Sequence, residues 1–223
     1  MSNEKKPNIG EDFIRFHRIV TRSLEVGLGN INEFLKGGGV DKSKREGFLN
    51  YVESFSSFLD GHHKVENQLV FPYFKPLLPE VPYVQLMTEH KEVESLLQEI
   101  NSGLNSLRSK KDEISSLKQL KSSFVKIDHI WHPHIQIEET QLFQKVGSLN
   151  INMDEMTSIQ KKFSDFFQEH TGPAYLVVPF ALYNLSPEDR ALLAAGFPEM
   201  VTKQLVPGDW KDKWISMQPF LLR

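Results

Sequence analysis

The sequence predicts an all-α fold, an up-down-up-down four-helix bundle with a C-terminal helical and irregular extension packed on it. Apolar residues recur at the three- and four-residue spacing of an amphipathic helix in four long segments. The connections between these segments are short and contain helix-breaking residues, which favours antiparallel neighbours. The chain of 223 residues, 39% of them hydrophobic, is long enough to bury a substantial core. We therefore expect the bundle over residues 8–148 and the extension over residues 149–223.

The first two predicted helices have clear limits. The first runs from about Ile9 to Lys36 and ends at the three glycines of residues 37–39, which continue a helix only at a conformational cost. The second begins at Asp41, whose side chain is a favourable N-cap, and stops among the prolines of residues 72–79. These two helices form the first antiparallel pair of the expected bundle.

The third and fourth predicted helices complete the bundle. The third begins near Pro82 and keeps its apolar residues in register as far as Leu107. The fourth begins near Asp112 and passes through Pro133, a residue type that removes one backbone hydrogen bond from a helix. We therefore expect the fourth helix to kink, or to break into two helices, at Pro133.

The pattern changes beyond residue 148. A fifth helix is predicted over Met153 to His170, followed by an irregular apolar segment and a short helix capped by Ser186 with Pro187 at its first position. The last residues of the chain are rich in large apolar side chains that are too few to form a core of their own. We expect four of these side chains to lie across the bundle: Trp210, Trp214, Phe220 and Leu221.

Composition limits the partners and the chemistry. The net charge of −3 gives no electrostatic reason to expect nucleic acid or an anionic membrane as partner. The absence of cysteine excludes disulfides, thiolate catalysis and sulfur ligands, so that any metal must be held by His, Asp, Glu or water. The opening segment lacks the apolar run of a signal peptide, and the longest apolar run is too short to span a bilayer. We expect a cytoplasmic protein whose protein partner, if it has one, the sequence does not indicate.

Polar side chains occupy core positions in all four bundle helices. In the second helix the apolar stripe passes through Phe55, Leu59, His62, Glu66 and Leu69 at spacings of three and four residues, so its histidine and glutamate point inward. The fourth helix repeats this His-x-x-x-Glu pattern, and the first and third helices each place one histidine in the stripe. The inward set is His17, His62, Glu66, His90, His134 and Glu138.

This inward set predicts a metal site. A buried carboxylate is strongly unfavourable unless it is paired or bound to a cation, and the stripes contain no inward Lys or Arg. Histidine and glutamate together suit iron, manganese or zinc. Six such side chains exceed the needs of one four-coordinate zinc and fit two octahedral ions that share carboxylates.

Simpler interpretations exist for each residue taken alone. A single inward histidine can be a hydrogen-bonded core residue, and a His-x-x-x-Glu pair can hold the register of two helices. Helical phase turns His63, His129 and His132 sideways or outward, although a change of phase at Pro133 would keep the latter two available as ligands. His170 follows an apolar stripe of the fifth helix and is expected in the core or behind the ligands.

Two stretches of the sequence resemble the hemerythrin-like, HHE cation-binding domain. They are HHKVENQLVFP and HIQIEETQLF, with a Glu-His pair between them, and the resemblance covers about residues 10–147. It implies a four-helix bundle with a non-haem di-iron centre, oxo- or hydroxo-bridged and spanned by the two glutamates. The residues that match the ligands of the family are His17, His62, Glu66, His90, His134 and Glu138.

The sequence departs from the oxygen-carrying hemerythrins at two ligand positions. Glu94 stands where those proteins have a second histidine in the third helix, and His134-x-x-x-Glu138 replaces a His-x-x-x-x-Asp pattern. Glu94 as a third carboxylate would favour ferric iron over reversible oxygen binding. A small rotation of the second helix would instead let His63 supply the missing nitrogen.

The function expected from this resemblance is binding of two iron ions and, through them, of O2 or a related small oxidant, for sensing, storage or detoxification. Zinc and manganese also suit the donor set. One alternative is a di-iron enzyme with peroxidase-like or NO-reducing activity. Another is a protein-interaction module that a metal stabilises, with the aromatic tail as its binding surface.

Overall fold

Four long helices form the part of the chain predicted as a bundle. The computed structural model describes residues 9–110 and 112–222, and none of these residues lies in a β-strand. The outermost predicted bounds, residues 8 and 223, lie outside the described residues. The helices of the bundle region are α1 (Ile9–Lys36), α2 (Arg45–Val65), α3 (Phe71–Phe74), α4 (Tyr83–Arg108), α5 (Glu113–Ile137) and α6 (Gln144–Val146).

The long helices close into a ring in which each contacts two neighbours. Helix α1 packs on α2 and α5, and α4 packs on α2 and α5. The connections between successive long helices are short, as an up-down-up-down arrangement requires. The predicted all-α bundle is confirmed.

The beginning of α2 differs from the prediction. Asp41 accepts hydrogen bonds from the backbone N–H of Ser43 on its side chain (2.8 Å) and from that of Lys44 on its carbonyl oxygen (3.0 Å). These bonds close a turn before the helix, so that α2 begins at Arg45 and Asp41 is not its N-cap.

Helix α5 runs through Pro133 without a break, so the predicted division into two helices is wrong and the kink stays a prediction. Proline removes the hydrogen bond to the carbonyl group four residues earlier, here that of His129. Both Pro133 and His129 are exposed, and water can therefore solvate that carbonyl group. The helix tolerates the proline because it lies on the solvent face.

Two wide π-helical turns, which the sequence did not predict, interrupt the bundle helices. One spans Glu66–Val70 and connects α2 to α3, and the other spans Glu138–Phe143 and connects α5 to α6. Each wide turn begins at one of the two predicted carboxylate ligands. Such turns insert an extra residue into a helix and are frequent at functional sites.

The apolar core consists of two clusters with the predicted ligands between them. Phe13, Val65, Leu86 and Leu142 belong to one cluster, together with Phe71 and Phe74. The other cluster contains the apolar residues on the opposite side of the ligands along each helix: Val20, Leu59, Val93 and Trp131. The histidines and glutamates therefore form a polar layer across the middle of an otherwise apolar interior.

The extension is helical over most of its length. The predicted fifth helix, Met153–His170, is confirmed as α7, and the predicted cap is confirmed because Ser186 Oγ accepts a hydrogen bond from the N–H of Asp189 (3.2 Å). The further elements are α8 (Ala174–Tyr183), α9 (Pro187–Ala194), a π-helical turn (Val201–Asp209), α10 (Lys211–Trp214) and a 3₁₀ helix (Ile215–Phe220).

The extension packs on the bundle, mainly along α2. Trp214, Phe220 and Leu221 are buried and join the same apolar cluster as the bundle residues, while Trp210 is half-buried against that cluster. The predicted packing of the extension is confirmed. The division into two domains at residues 148 and 149 stays a prediction.

Small residues on one face of α2 make this packing close. A Cβ atom on Gly47 would overlap the carbonyl oxygen of Ser216, and one on Gly61 would overlap the methyl group of Thr171. Between these two glycines, Ser57 Oγ donates to the carbonyl of Gly172 (3.1 Å). Helix α2 is therefore enclosed by the bundle on one side and by the extension on the other.

No helix in the two described ranges combines the length and the hydropathy that crossing a lipid bilayer requires.

The glycines of α1 and α2 provide a test of the close contact between α2 and the extension. Gly47→Ala should lower the free energy of unfolding by about 1–3 kcal/mol, because the added methyl group overpacks a closed interface. The matched control is Gly29→Ala in α1, where no atom of the described residues lies within 4 Å of the added Cβ. This control should raise stability by roughly 0.5–1 kcal/mol through helix propensity alone. Urea unfolding of both variants measures the difference, and equal stabilisation by both would contradict the contact.

Candidate metal centre

All six predicted ligand side chains are buried in the polar layer. None of these residues is more than 2% exposed. They are contributed by α1 (His17), α2 (His62), the first wide turn (Glu66), α4 (His90), α5 (His134) and the second wide turn (Glu138). Every long helix of the bundle therefore contributes at least one side chain to the layer.

The potential ligand atoms form two groups. His17, His62, Glu66 and Glu138 form the first group, and His63, His90 and His134 form the second. Within each group, one ligand atom from every residue lies within 4.8 Å of the others. The structure thus brings the six predicted residues together and adds His63.

Each carboxylate faces both groups of histidines. Glu66 places Oε1 at 3.4 Å from His62 Nε2 and Oε2 at 3.6 Å from His90 Nε2. Glu138 places Oε2 at 3.2 Å from His17 Nε2 and Oε1 at 3.3 Å from His134 Nε2. Both glutamates are therefore oriented as bridges between the two groups.

These buried atoms lack ordinary hydrogen bonds. No group within residues 9–110 and 112–222 forms a hydrogen bond with either oxygen of Glu66 or Glu138, with Nε2 of His17, or with either nitrogen of His62. Unpaired buried polar atoms are each destabilising by roughly 1–3 kcal/mol. Ligand atoms bound about 2.1 Å from one ion lie roughly 3.0–3.4 Å apart. The observed spacing and the unpaired atoms therefore fit bound metal.

Two outer carboxylates hold histidines of the layer. His17 Nδ1 lies 2.8 Å from Glu139 Oε1, and His134 Nδ1 lies 2.7 Å from Glu89 Oε2. Because a carboxylate only accepts hydrogen bonds, each imidazole donates from Nδ1. This leaves Nε2 of both rings directed toward the interior of the layer, the arrangement typical of metal-bound histidines.

The third histidine with an outer partner is His90. Its Nδ1 donates to Oδ1 of Asn67 at 2.9 Å, and its Nε2 lies 2.9 Å from Nε2 of His134. With Nδ1 of both rings donating outward, the two Nε2 atoms converge on one point. A proton or a cation between them satisfies both nitrogens.

Charges in the layer shift the pKa values of its members in opposite directions. Burial and the neighbouring Glu138 raise the pKa of Glu66 well above its ordinary value. Burial also acts to raise the pKa of Glu138, but His134 and His17 outweigh it and hold that pKa well below the ordinary value. Burial opposes the charged form of His134, yet Glu138 and Glu89 raise its pKa to about 9.

The pKa values of the other histidines of the layer also shift in opposite directions. Burial acts to lower the pKa of His17, but the neighbouring carboxylates of Glu138 and Glu139 raise it overall. Burial lowers the pKa of His62 and His63 well below the ordinary value. Without metal, the layer therefore holds its positive charge near the glutamates, where cations would bind.

His63 is buried, so the outward position that helical phase allowed is wrong. It is 5% exposed, and its ring stacks on that of His90 at a centroid distance of 3.9 Å. The ring also lies near those of Trp131 and His134, so that α4 and α5 keep a residue about 100° from the core stripe inside the bundle. Helical phase alone could not show this, because it contains no information on what covers the flank of a helix.

The remaining uncertain residues lie outside both groups. Glu94, His129 and His132 are exposed, so Pro133 did not turn either histidine inward. His170 is also exposed, and its ring stacks on Phe166 at 3.8 Å, so its expected position in the core is wrong.

The outer partners Asn67, Glu89 and Glu139 were not predicted from the sequence. The two glutamates each stand beside a predicted ligand in the sequence, next to His90 and Glu138 respectively. That adjacency was the available signal. It was weak, because partly exposed glutamates are common on helices and their partners lie on other helices.

Comparison with known families agrees with this geometry. The family model of the hemerythrin HHE cation binding domain matches residues 11–146. The chain belongs to the hemerythrin HHE cation-binding family. The match contains every residue of the two ligand groups, and α7 and all later elements of this hemerythrin-like protein lie beyond it. None of the curated proteins matches the chain.

Histidine variants test the membership of the two groups. His62→Ala and His63→Ala should each weaken zinc binding by more than about tenfold, because even the loss of an outer partner weakens metal binding by about 10–100-fold. His132→Ala is the control, since its side chain is 56% exposed and pairs with Asp128. Calorimetric titration and metal analysis measure the effect. Full metal content in His63→Ala would exclude this residue from the centre.

Metal uptake should release protons, and the affinity should fall as the pH falls. The raised pKa values of His17, His134 and Glu66 favour their protonated forms in the metal-free protein. Metal ligands must be deprotonated, so that protons compete with the ion. Zinc titrations near neutral pH in two buffers of different ionisation enthalpy measure the released protons. Identical heats in both buffers would contradict this protonation pattern.

Proposed function

We propose that this hemerythrin-like protein binds two iron ions and, through them, O2 or a related small oxidant, for sensing, storage or detoxification in the cytoplasm. The observation that carries the proposal is the orientation of the two glutamates. Each of them directs one oxygen toward each group of histidines, at 3.2–3.6 Å from the nearest Nε2 atoms. Carboxylates in this orientation would bridge two ions.

The donor set supports iron over zinc and manganese. Two histidines and two carboxylate oxygens face one position, and three histidines and two carboxylate oxygens face the other. Five donors exceed the four of a structural zinc site. Manganese favours sites richer in oxygen than one with five imidazoles, whereas imidazole suits iron. Six-coordinate iron at these positions would retain vacant sites for a small ligand.

His63 is the fifth histidine of the layer, and it can supply the nitrogen of the second histidine that oxygen-carrying hemerythrins have in the third helix. Glu94 is exposed and supplies no third carboxylate, which removes the reason to expect a centre biased toward ferric iron. The donor set therefore supports binding of O2 more strongly than the sequence alone.

The surroundings of the layer restrict which molecules can enter. Phe13, Phe143 and Trp131 are nearly fully buried and lie against its histidine rings. Such walls exclude bulk water and admit only small molecules. Bound iron would supply a redox-active, Lewis-acidic centre, while the protein orients the imidazoles and keeps the interior apolar.

The structure gives less support to the alternative of a metal-stabilised interaction module. That function relied on the aromatic tail as a binding surface, but Trp214 and Phe220 are buried in the apolar core. A peroxidase-like or NO-reducing enzyme would use the same centre, and it differs in consuming the oxidant with turnover.

Iron-loaded protein tests the proposal directly. It should contain about two irons per chain and develop an oxygen-dependent charge-transfer band in the near ultraviolet and visible, because two bridged ions retain open positions. His132→Ala should behave as the wild type, whereas His62→Ala should lose iron and the band. A colourless protein holding one zinc and indifferent to oxygen would exclude the di-iron function. Sustained consumption of peroxide or NO would instead identify an enzyme.

A further inference from the structure

We propose that Glu89 and Glu139 are positioning residues of the metal centre, one for each ion position. This inference rests on the proposed binding of two ions. Glu139 holds His17 of the first ligand group, and Glu89 holds His134 of the second. Each group thus contains one histidine supported by an outer carboxylate.

The geometry of the two contacts is specific. The Nδ1–carboxylate distances are 2.8 Å for His17 and 2.7 Å for His134, in the range of charge-assisted hydrogen bonds. Both histidines are at most 2% exposed on their side chains, whereas the two glutamates are 30% and 23% exposed. The carboxylates therefore lie at the edge of the buried layer, with the imidazoles directed inward from them.

Two residues that are neighbours in the sequence contact opposite edges of the His17 ring. Glu138 Oε2 lies 3.2 Å from Nε2 of this ring, and Glu139 Oε1 lies 2.8 Å from its Nδ1. Both glutamates belong to the wide turn Glu138–Phe143, which directs consecutive side chains to opposite edges of one imidazole. One carboxylate faces the centre, and the next one holds the ring from outside.

Two neighbouring residues on α4 also have different roles at the centre. His90 points into the layer, while the preceding residue, Glu89, reaches across to His134 on α5. The amide of Asn67 supports His90 instead of a carboxylate, and His62 has no hydrogen-bond partner among the described residues. His17 and His134 therefore differ from the other histidines named here in having a carboxylate as outer hydrogen-bond partner.

A hydrogen bond of this kind acts on the metal through the histidine. It fixes the tautomer with Nδ1 protonated, locks the orientation of the ring and increases the basicity of Nε2. Loss of the acceptor would free the ring to rotate or change tautomer, and the ion on that side would be bound more weakly. If the carboxylate acted only through its charge, its replacement by alanine or by glutamine would weaken metal binding equally.

Alanine variants of the full-length protein test the inference, with Co(II) and zinc as probes. Glu139→Ala and Glu89→Ala should each weaken one of two binding steps by about 10–100-fold and alter one part of the Co(II) d–d spectrum. The affected step should differ between the two variants. Glu94→Ala is the matched control, because Glu94 is an exposed glutamate on α4 outside both ligand groups.

Glutamine variants separate positioning from charge. The side-chain oxygen of Glu139→Gln or Glu89→Gln still accepts the Nδ1–H bond, so both should bind metal more tightly than the alanine variants, and they also serve if an alanine variant does not fold. Alanine variants that titrate as the wild type, or that weaken the same ion, would overturn the inference. Wild-type protein that binds neither probe nor iron would instead overturn the proposed function on which it rests.

Discussion

The burial of two carboxylates between two apolar clusters is the constraint on which the rest of the structure depends. Glu66 and Glu138 have no hydrogen-bond partner among the described residues, and four helices converge to surround them with imidazoles. Two of the histidines, His17 and His134, are in turn held by acceptors nearer the surface, and wide turns begin at both carboxylates. Burying two carboxyl groups without hydrogen bonds is unfavourable, and a bound cation would compensate for it.

Helical periodicity was sufficient to find the six inward side chains. A residue such as His62 continues an apolar stripe that the sequence displays directly, and its burial follows from the burial of that stripe. The same principle located α1, α7 and the cap of α9, whose signals are local. These features depend on neighbours within one or two turns, and the sequence contains that information.

Other features depend on contacts between distant segments, which periodicity does not contain. His63 is buried because α4 and α5 cover the flank of α2 on which it lies, and Glu89 reaches His134 only because α5 packs on α4. The wide turns have no local sequence signal, since they relax the helices around a shared centre. Pro133 was misread because its effect depends on whether water reaches the carbonyl group it leaves unpaired.

The extension has a further consequence because of where α7 crosses the bundle. Phe163 lies in one apolar cluster, and Phe167, one turn later, packs against both clusters on either side of the polar layer. The layer divides the core, but α7 joins its two halves from outside. Unfolding of the halves is therefore coupled even before an ion is bound, and the cooperativity of the molecule originates partly in residues that its family domain does not include.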